Sequence, residues 1–378
     1  MKRTLIFSLA YYPRVGGAEI ALKELTDRMT DSEFHMITLN FGGDVLDEKI
    51  GNIHVHRVGN SGSYLSKILF VPRAAFAARR LHREHQFDVL WAMMSYMLWP
   101  IMLLRMLFVR VPYVLTLQDG DPFERVFRRW FILPFRPLLS CGFRHVAVIS
   151  VLSTHLATWA RQMGGKDPVV IPNGADVVRF ENATPVDIGK KEGETWLITS
   201  SRLVHKNALD DVIRALALLP ASVKFLVCGT GEEEQSLRAL AQELQVEDRI
   251  VFRGHISHDE LPGLLKSADI FIRPSRSEGF GSSFIEAMAA GIPVIATQEG
   301  GIADFLFDAQ RNPDKEATGY AVDTDAPEQI AEAVKIIVAH PDDVARTVKR
   351  ARAMVHEHYD WNLIAKNMHG VFSTLTHA

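Results

Sequence analysis

Residues 269–297 read "DIFIRPSRSEGFGSSFIEAMAAGIPVIAT", and this stretch decides the fold. "DIFIRPS" is a short apolar run of strand type and "RSEGFG" a glycine-rich loop past its C-terminal end. "SSFIEAMAAG" is a helix ended by Gly291, and "PVIAT" is the next strand. Strand, loop, helix and strand in this order form a βα repeat with a parallel sheet. The same residues raise a chemical question. Glu278 and Glu286 stand eight positions apart, and Glu286 lies among Phe284, Ile285, Met288 and Ala289. Ser283-x-x-Glu286 matches a capping box, in which the two side chains satisfy the first turn of the helix. Alternatively the helix N-terminus and the glycine amides face an anion, and Glu286 accepts hydrogen bonds from ligand hydroxyls, as acidic residues do from ribose. A cap leaves Glu278, Gly279 and Gly281 unexplained.

The alternation extends in both directions. Upstream, "RTLIFSLA", "FHMITLN", "IHVHRV", "FDVLWA", "YVLTL" and "HVAVIS" read as strands, and the helix "AEIALKELTDRM" opens after Gly16-Gly17. The polar segment "ENATPVDIGKKEGET" reads as a linker. The pattern then restarts with "TWLITSSRL", "VKFLVCGTG" and "RIVFRGH", and the chain from Pro327 on is mostly helical by period. The expected fold is α/β with two doubly wound Rossmann-like domains: residues 1–180, residues 195–354, and a closing helix in 355–378 that packs back on the first domain. At 378 residues the chain exceeds what one core usually supports. Ligands of open α/β sheets collect at the C-terminal ends of strands, which points to a cleft between the two domains.

Composition bounds the function. Cys141 and Cys228 give neither a disulfide framework nor paired metal-ligand spacing, which predicts reduced thiols in a cytoplasmic protein. The apolar start of "MKRTLIFSLAYYPRVGG" is short and broken by Pro13-Arg14, so no secretory leader is expected. The run Val89 to Leu104 is too short for a bilayer, contains Pro100 and is closed by Arg105. The net charge of −3 hides an asymmetry: residues 1–180 carry 22 Lys and Arg against 15 Asp and Glu, and residues 181–378 carry 20 against 30. Residues 64–136 alone hold 11 basic and 5 acidic side chains. "SYLSKILFVPRAAFAARRLHREH" reads as a helix with one buried face. "ERVFRRWFILPFRPLL" reads equally as a loop-rich excursion or as an amphipathic basic surface for an anionic membrane. No nucleic-acid partner is indicated.

Other features carry chemistry by position. In "SSRLVHKN", Arg202 and Lys206 follow the first strand of the second repeat, where two cations suit a diphosphate. Gly16 and Gly17 form a backbone anion nest by position. "VCGTGEEE" imitates a dinucleotide fingerprint but has Glu234 at the third glycine position, and its glutamates suit a helix N-terminus. "HISH" and "HEH" lack helical metal spacing, so no metal ligand is assigned. A nucleotide sugar fits the remaining inventory of cations, carboxylates and glycine loops.

At this point the chain resembles a family 4 glycosyltransferase of the GT-B fold. The matching segments are "GGAE" (16–19), "VIPNGAD" (170–176), "SRLVHKN" (201–207), "VFRGHI" (251–256) and "PSRSEGFGSSFIEAMAAGIPVIAT" (274–297), with "YDWNLIAKNM" (359–368) similar to the family's closing helix. The resemblance implies that Glu286 binds ribose and that Arg202 and Lys206 hold the diphosphate. It also implies that Glu278, Gly279, Phe280, Gly281 and Ser282 hold the donor sugar and its phosphate. Gly16, Gly17 and the Gly254 loop are implied as further donor contacts. The family retains anomeric configuration and generally needs no metal ion or other cofactor. The implied partners are a nucleotide-sugar donor (a UDP- or GDP-sugar) and a glycan or lipid-linked acceptor, at the inner face of the plasma membrane. One departure stands out: where the family commonly has His, this chain has Gln118-Asp119-Gly120-Asp121. Gln118 can orient a ligand but is no general base, and Asp119 is either an acceptor contact or a turn residue. Competing readings are a metal-dependent transferase using Asp119 and Asp121, an epimerase or phosphorylase on the same fold, and a silent sugar-binding module.

Overall fold

In the computed structural model, which describes residues 2–130 and 132–375, the chain divides into two compact units. The first comprises the residues up to Asn173 together with those from Trp361 on, and the second is Gly174–Asp360. The first is built on an eight-stranded sheet of β1 (Lys2–Phe7), β2 (Ser32–Leu39), β3 (Asp47–Ile50), β4 (Ile53–Val58), β5 (Val89–Met93), β6 (Tyr113–Leu117), β7 (Val148–Val151) and β8 (Val169–Val170). Their spatial order is β3-β4-β2-β1-β5-β6-β7-β8, parallel except for the β3–β4 hairpin. The second has a six-stranded parallel sheet of β9 (Thr195–Ser200), β10 (Val223–Cys228), β11 (Ile250–Gly254), β12 (Ile270–Arg273), β13 (Val294–Ala296) and β14 (Tyr320–Ala321), in the order β11-β10-β9-β12-β13-β14.

Both sheets are doubly wound. From β1 the chain moves outward through β2, then crosses back to β5; from β9 it moves through β10 and β11, then crosses back to β12. Strand direction of travel therefore reverses between β1 and β5, and again between β9 and β12, which are the switch points where such sheets bind ligands. Helices cover both faces, so β5 and β6 are buried at every position and read as continuous apolar runs. Their few polar atoms are satisfied internally: Trp91 Nε1 donates to Thr116 Oγ1 at 2.8 Å, and Thr116 and Ser150 share a hydrogen bond of 2.6 Å.

Helix α1 (Gly17–Arg28) follows β1, and α2 (Tyr64–His85) follows β4. Ser63 caps α2 by accepting from Ser66 N, and Gln86 ends it in the left-handed region. Phe70, Ala74, Ala78 and Leu81 form its buried stripe. The opposite side leaves Tyr64, Leu65, Ile68 and Phe76 exposed, with Tyr64 at 68%. Its apolar surface thus exceeds the single buried face expected from the sequence. No helix among the described residues is long and apolar enough to cross a membrane.

The structure draws the boundaries earlier and later than the sequence reading. The helix Val177–Glu181 joins the second unit, where Arg179 Nη2 donates to the His258 carbonyl at 2.9 Å. The helix Pro341–His358 also stays with the second unit, and the helix Trp361–Thr374 belongs to the first. There Trp361, Ile364, Met368 and Phe372 enter one core with Leu22, Leu25, Met29 and Trp91. Arg28 Nε reaches Asn362 Oδ1 at 3.1 Å, and Lys2 Nζ reaches the Phe372 carbonyl at 3.2 Å. Strand β3, "DEKI", escapes a reading by apolar pattern because its residues alternate only between half-buried and exposed.

Phe372 packs edge-on against Trp91 with ring centroids 5.0 Å apart. Phe372→Ala is expected to lower the stability of the first unit by about 3–5 kcal/mol, the usual cost of emptying a buried aromatic site. A urea titration should show an earlier midpoint, and an unchanged midpoint would mean that the closing helix does not hold this core.

Candidate functional site

Two loops flank the switch point of the second sheet, one after β9 and one after β12. The first, Ser201–Asn207, lies on the backbone of Gly229–Gly231: Ser201 N donates to Cys228 O and Leu203 N to Thr230 O, both at 3.0 Å. A Cβ at Gly229 would stand 1.8 Å from the Ser201 carbonyl. The glycines of "VCGTG" are therefore the bed for the Arg202 loop and not a dinucleotide cradle. Arg202 is exposed on this loop, and Lys206 is half-buried.

The second loop is shaped by Arg273, the last residue of β12, which is buried. Arg273 Nη2 donates to Glu278 Oε2 at 2.8 Å, and Nη1 donates to Ser283 Oγ at 2.9 Å. Its guanidinium lies 4.2 Å from the centre of the Phe284 ring. Burial weighs against its charge, which the carboxylates of Glu278 and Glu286 support. Gly279 N donates to Glu278 Oε1 at 3.0 Å, so both carboxylate oxygens are held, each with a lone pair left for another donor.

The helix Ser282–Ala290 begins at Gly281, whose φ of 87° is in the left-handed region and whose position would drive a Cβ to 2.7 Å from Arg273 Nη2. Gly281, its N-cap residue, makes no side-chain capping bond. The capping box does not form: Ser283 accepts from Arg273, and Glu286, 7% exposed, meets His258 Nε2 at 3.2 Å through Oε1. Arg179 Nη1 points at His258 Nδ1 at 3.4 Å. Since arginine only donates, this assigns the neutral histidine's proton to Nε2, directed at Glu286. Ser282 opens the helix. Phe280 packs its ring against Phe305 and Tyr359, so only its backbone suits a donor contact. Gly254 ends β11 at a φ of 75°, with its carbonyl accepting from Gly229 N at 2.7 Å.

Arg276 joins the two loops. Its backbone N donates to Lys206 O at 2.7 Å. Its side chain donates from Nε to Asp325, from Nη1 to His205 O and Asp210, and from Nη2 to Asp210 and Asp211, at 2.6–3.0 Å. All five guanidinium hydrogens are thereby used. Burial would raise the Asp210 carboxyl, but the bonds and charge of Arg276 outweigh it and hold the group low. Burial and then the Asp210 charge push Asp211 up to about 6.

In the first unit, Gly16 and Gly17 open α1 beside the other switch point, as the sequence placed them. Gly16 N, however, donates to the Glu19 carboxylate at 2.8 Å, so that amide of the nest is occupied from within the chain. Gln118 and Asn173 pair their amides at 3.4 and 3.5 Å. Asp119 is turned inward: its Oδ1 accepts from Ser95 Oγ at 3.0 Å and its Oδ2 from Ser95 N at 3.4 Å. Burial pushes its carboxyl above the ordinary range, against the pull of those bonds. It secures the turn after β5, where Met94 has a φ of 72°. Asp119 thus makes the contacts of a turn residue, through both oxygens to Ser95, with the Asp121 charge adding to its upward shift.

The sequence reading missed Arg273, Arg276 and His258. Arginine in the last position of an otherwise apolar strand, immediately before Pro274, was the available signal for the first. The others depend on partners remote in sequence.

Comparison with known proteins agrees with this geometry. Residues 15–179 match the family model "Glycosyltransferase Family 4", and residues 181–354 match "Glycosyl transferases group 1". The chain is 27% identical over 394 aligned residues, covering 97% of both chains, to the GDP-mannose-dependent alpha-(1-6)-phosphatidylinositol monomannoside mannosyltransferase of Mycobacterium tuberculosis. Among solved structures, the sucrose-phosphate synthase of Thermosynechococcus elongatus superposes with a TM-score of 0.86 at 20% identity, covering 100% of this chain and 99% of that one. Anabaena HepE in complex with UDP-glucose superposes with a TM-score of 0.78 at 19% identity over the whole of both chains. Two doubly wound sheets, the glycine loop with its paired glutamates and family models matching both halves lead to one conclusion: the chain is a glycosyltransferase of the GT-B fold and belongs to family 4.

Proposed function

We propose that this glycosyltransferase moves a sugar from a nucleoside diphosphate sugar to a glycan or lipid-linked acceptor, with retention of anomeric configuration and without a metal ion. The observation that carries this reading is the start of the helix Ser282–Ala290 at a glycine N-cap, bordered by Glu278 and Glu286 and tied through Arg276 to the loop of Arg202 and Lys206. A helix start at a glycine suits a diphosphate, and the two cations offset the negative charge that its oxygen gains as it leaves. Glu286 accepts from the ribose hydroxyls, and Glu278 from a sugar hydroxyl, through lone pairs that their protein partners leave. The amides of Gly279, Phe280 and Gly281 and the hydroxyl of Ser282 complete the donor contacts, and Gly17 and Gly254 extend them.

In the transfer, the glycosyl–oxygen bond breaks with its electron pair passing to the phosphate, and the sugar gains oxocarbenium character. The acceptor oxygen attacks the same face, and its proton goes to the departing phosphate oxygen. Arg202 and Lys206 stabilise that oxygen's charge, and Gln118 orients the acceptor or donor by hydrogen bonding. The printed activity of the mycobacterial relative, on a phosphatidylinositol mannoside, supports a lipid-linked acceptor.

The first unit supplies a surface for such an acceptor. Phe108 is 86% exposed and Trp130 82%, and Phe135 is also exposed, near Arg125, Arg128 and Arg129 in the chain. These side chains, and the exposed apolar residues of α2, are suited to peripheral contact with anionic lipid at the inner face of the plasma membrane.

Glu286→Ala is expected to weaken UDP- or GDP-sugar binding about 10- to 100-fold, the scale of hydrogen bonds to a charged group; unchanged affinity would remove the ribose role. Proton NMR of the first product should show the donor's anomeric configuration, in buffer containing EDTA. An inverted product, or activity restored only by manganese, would defeat this mechanism. Arg276→Lys keeps the charge but loses the fork. It should lower stability by about 1.5–3 kcal/mol and weaken donor binding at least tenfold, and a wild-type donor affinity would show that the loops hold without it. In flotation assays the protein should bind vesicles containing anionic lipid, with binding reduced in Trp130→Ser. Equal behaviour with neutral vesicles would end the membrane reading.

A further inference from the structure

The opposite edge of the first sheet, where its parallel strands begin, carries a cluster of imidazoles that sugar transfer does not use. Glu33 and His35 project from the start of β2, His54 and His56 from β4, and His85 from the last turn of α2. His35 is 3% exposed, and the His85 ring centroid lies 4.3 Å from its own. One ligand atom from each of Glu33, His35 and His85 lies within 4.8 Å of the other two. Arg3 Nε takes Glu33 Oε2 at 3.0 Å, which leaves Oε1 turned to His35 Nε2, also at 3.0 Å. On its far side, His35 Nδ1 faces His56 Nε2 at 3.0 Å, and His56 Nδ1 faces Asp47 Oδ1 at 2.6 Å.

Counting protons in this chain is informative. Three contacts join Glu33, His35, His56 and Asp47, and each needs one hydrogen, but two neutral imidazoles supply only two. Without a metal ion, one ring must carry a second proton, one carboxyl must be protonated, or one contact lacks its hydrogen. With a metal ion at His35 Nε2 the count closes on neutral groups. Nδ1–H then donates to His56 Nε2, and His56 Nδ1–H donates to Asp47, with both rings neutral. A ligating histidine that passes its other N–H toward a carboxylate is the common arrangement at metal sites.

We propose that Glu33, His35 and His85 bind a divalent transition metal of the zinc class, with His56 and Asp47 fixing the tautomer of His35. Two nitrogens and one carboxylate oxygen suit zinc, and water fills the remaining position. The ion joins β2 to the end of α2, at the strand edge away from the proposed donor contacts, so its role is structural.

The test is calorimetric titration of zinc chloride into the EDTA-stripped, dialysed full-length protein. One equivalent should bind and raise the melting temperature. His85→Ala and Glu33→Gln should each weaken binding at least tenfold and abolish the thermal shift, while His356→Ala, at an exposed histidine of the second unit, should leave both unchanged. Asp47→Asn should weaken binding several-fold through His56. Absence of stoichiometric binding would overturn the proposal, as would zinc binding unaltered in both Glu33→Gln and His85→Ala. Circular dichroism checks that each variant folds, and either ligand variant suffices if the other does not.

Discussion

The guanidinium of Arg276 holds the second unit's two site loops in register. It is the only kind of side chain that supplies five hydrogens in a fixed plane, and here Asp210, Asp211, Asp325 and the His205 carbonyl receive all of them. Burial, and then the neighbouring Asp210 charge, push Asp211 up, while the bonds and charge of Arg276 hold Asp210 low. That imbalance is tolerated because the geometry has few alternatives: the Arg276 amide is also bonded to Lys206 O. Everything proposed for the diphosphate depends on Arg202 and Lys206 standing at a fixed distance from the glycine loop, and this is the contact that sets it.

Arg273 performs the complementary task inside the loop. A buried arginine is costly unless its charge is matched and its hydrogens are used. Glu278, Ser283 and the face of Phe284 satisfy it in part, and its Nε has no hydrogen-bond partner among the described residues. The consequence is a carboxylate at Glu278 that cannot swing away and a Ser283 that is drawn from the helix start. With Gly281 in the left-handed region, the helix then starts at a residue that has no side chain to cap it. A capping box would have neutralised the very feature that makes a helix N-terminus attractive to an anion.

Much of this was legible in the sequence, for identifiable physical reasons. Strands buried on both faces must be apolar throughout, so β1, β5, β6, β9 and β12 announce themselves, and the restart at Thr195 announces the second sheet. The glutamate pair was legible because a carboxylate in an apolar helix demands a partner. What stayed hidden depends on contacts across long separations. Arg276 meets carboxylates 49 to 66 positions away, and "HISH" showed only that it lacks metal spacing until the fold brought His258 to Glu286. Asp119 was ambiguous for the same reason: only the placement of Ser95 shows that its oxygens are turned inward.

The histidine cluster shows the same limit in its clearest form. Metal spacing within one helix or one loop is visible as a motif, whereas Glu33, His35 and His85 come from a strand and a helix end that the β4 crossover separates by some fifty positions. Alternation along β2 puts Glu33 and His35 on one face, and the parallel register sets His54 opposite His35. The same register explains why the cluster lies where strands begin, while Gly16, Ser95 and Gln118 lie where they end. A doubly wound sheet thus separates a tie between elements from the loops that bind ligands, because the two occupy opposite ends of the same strands.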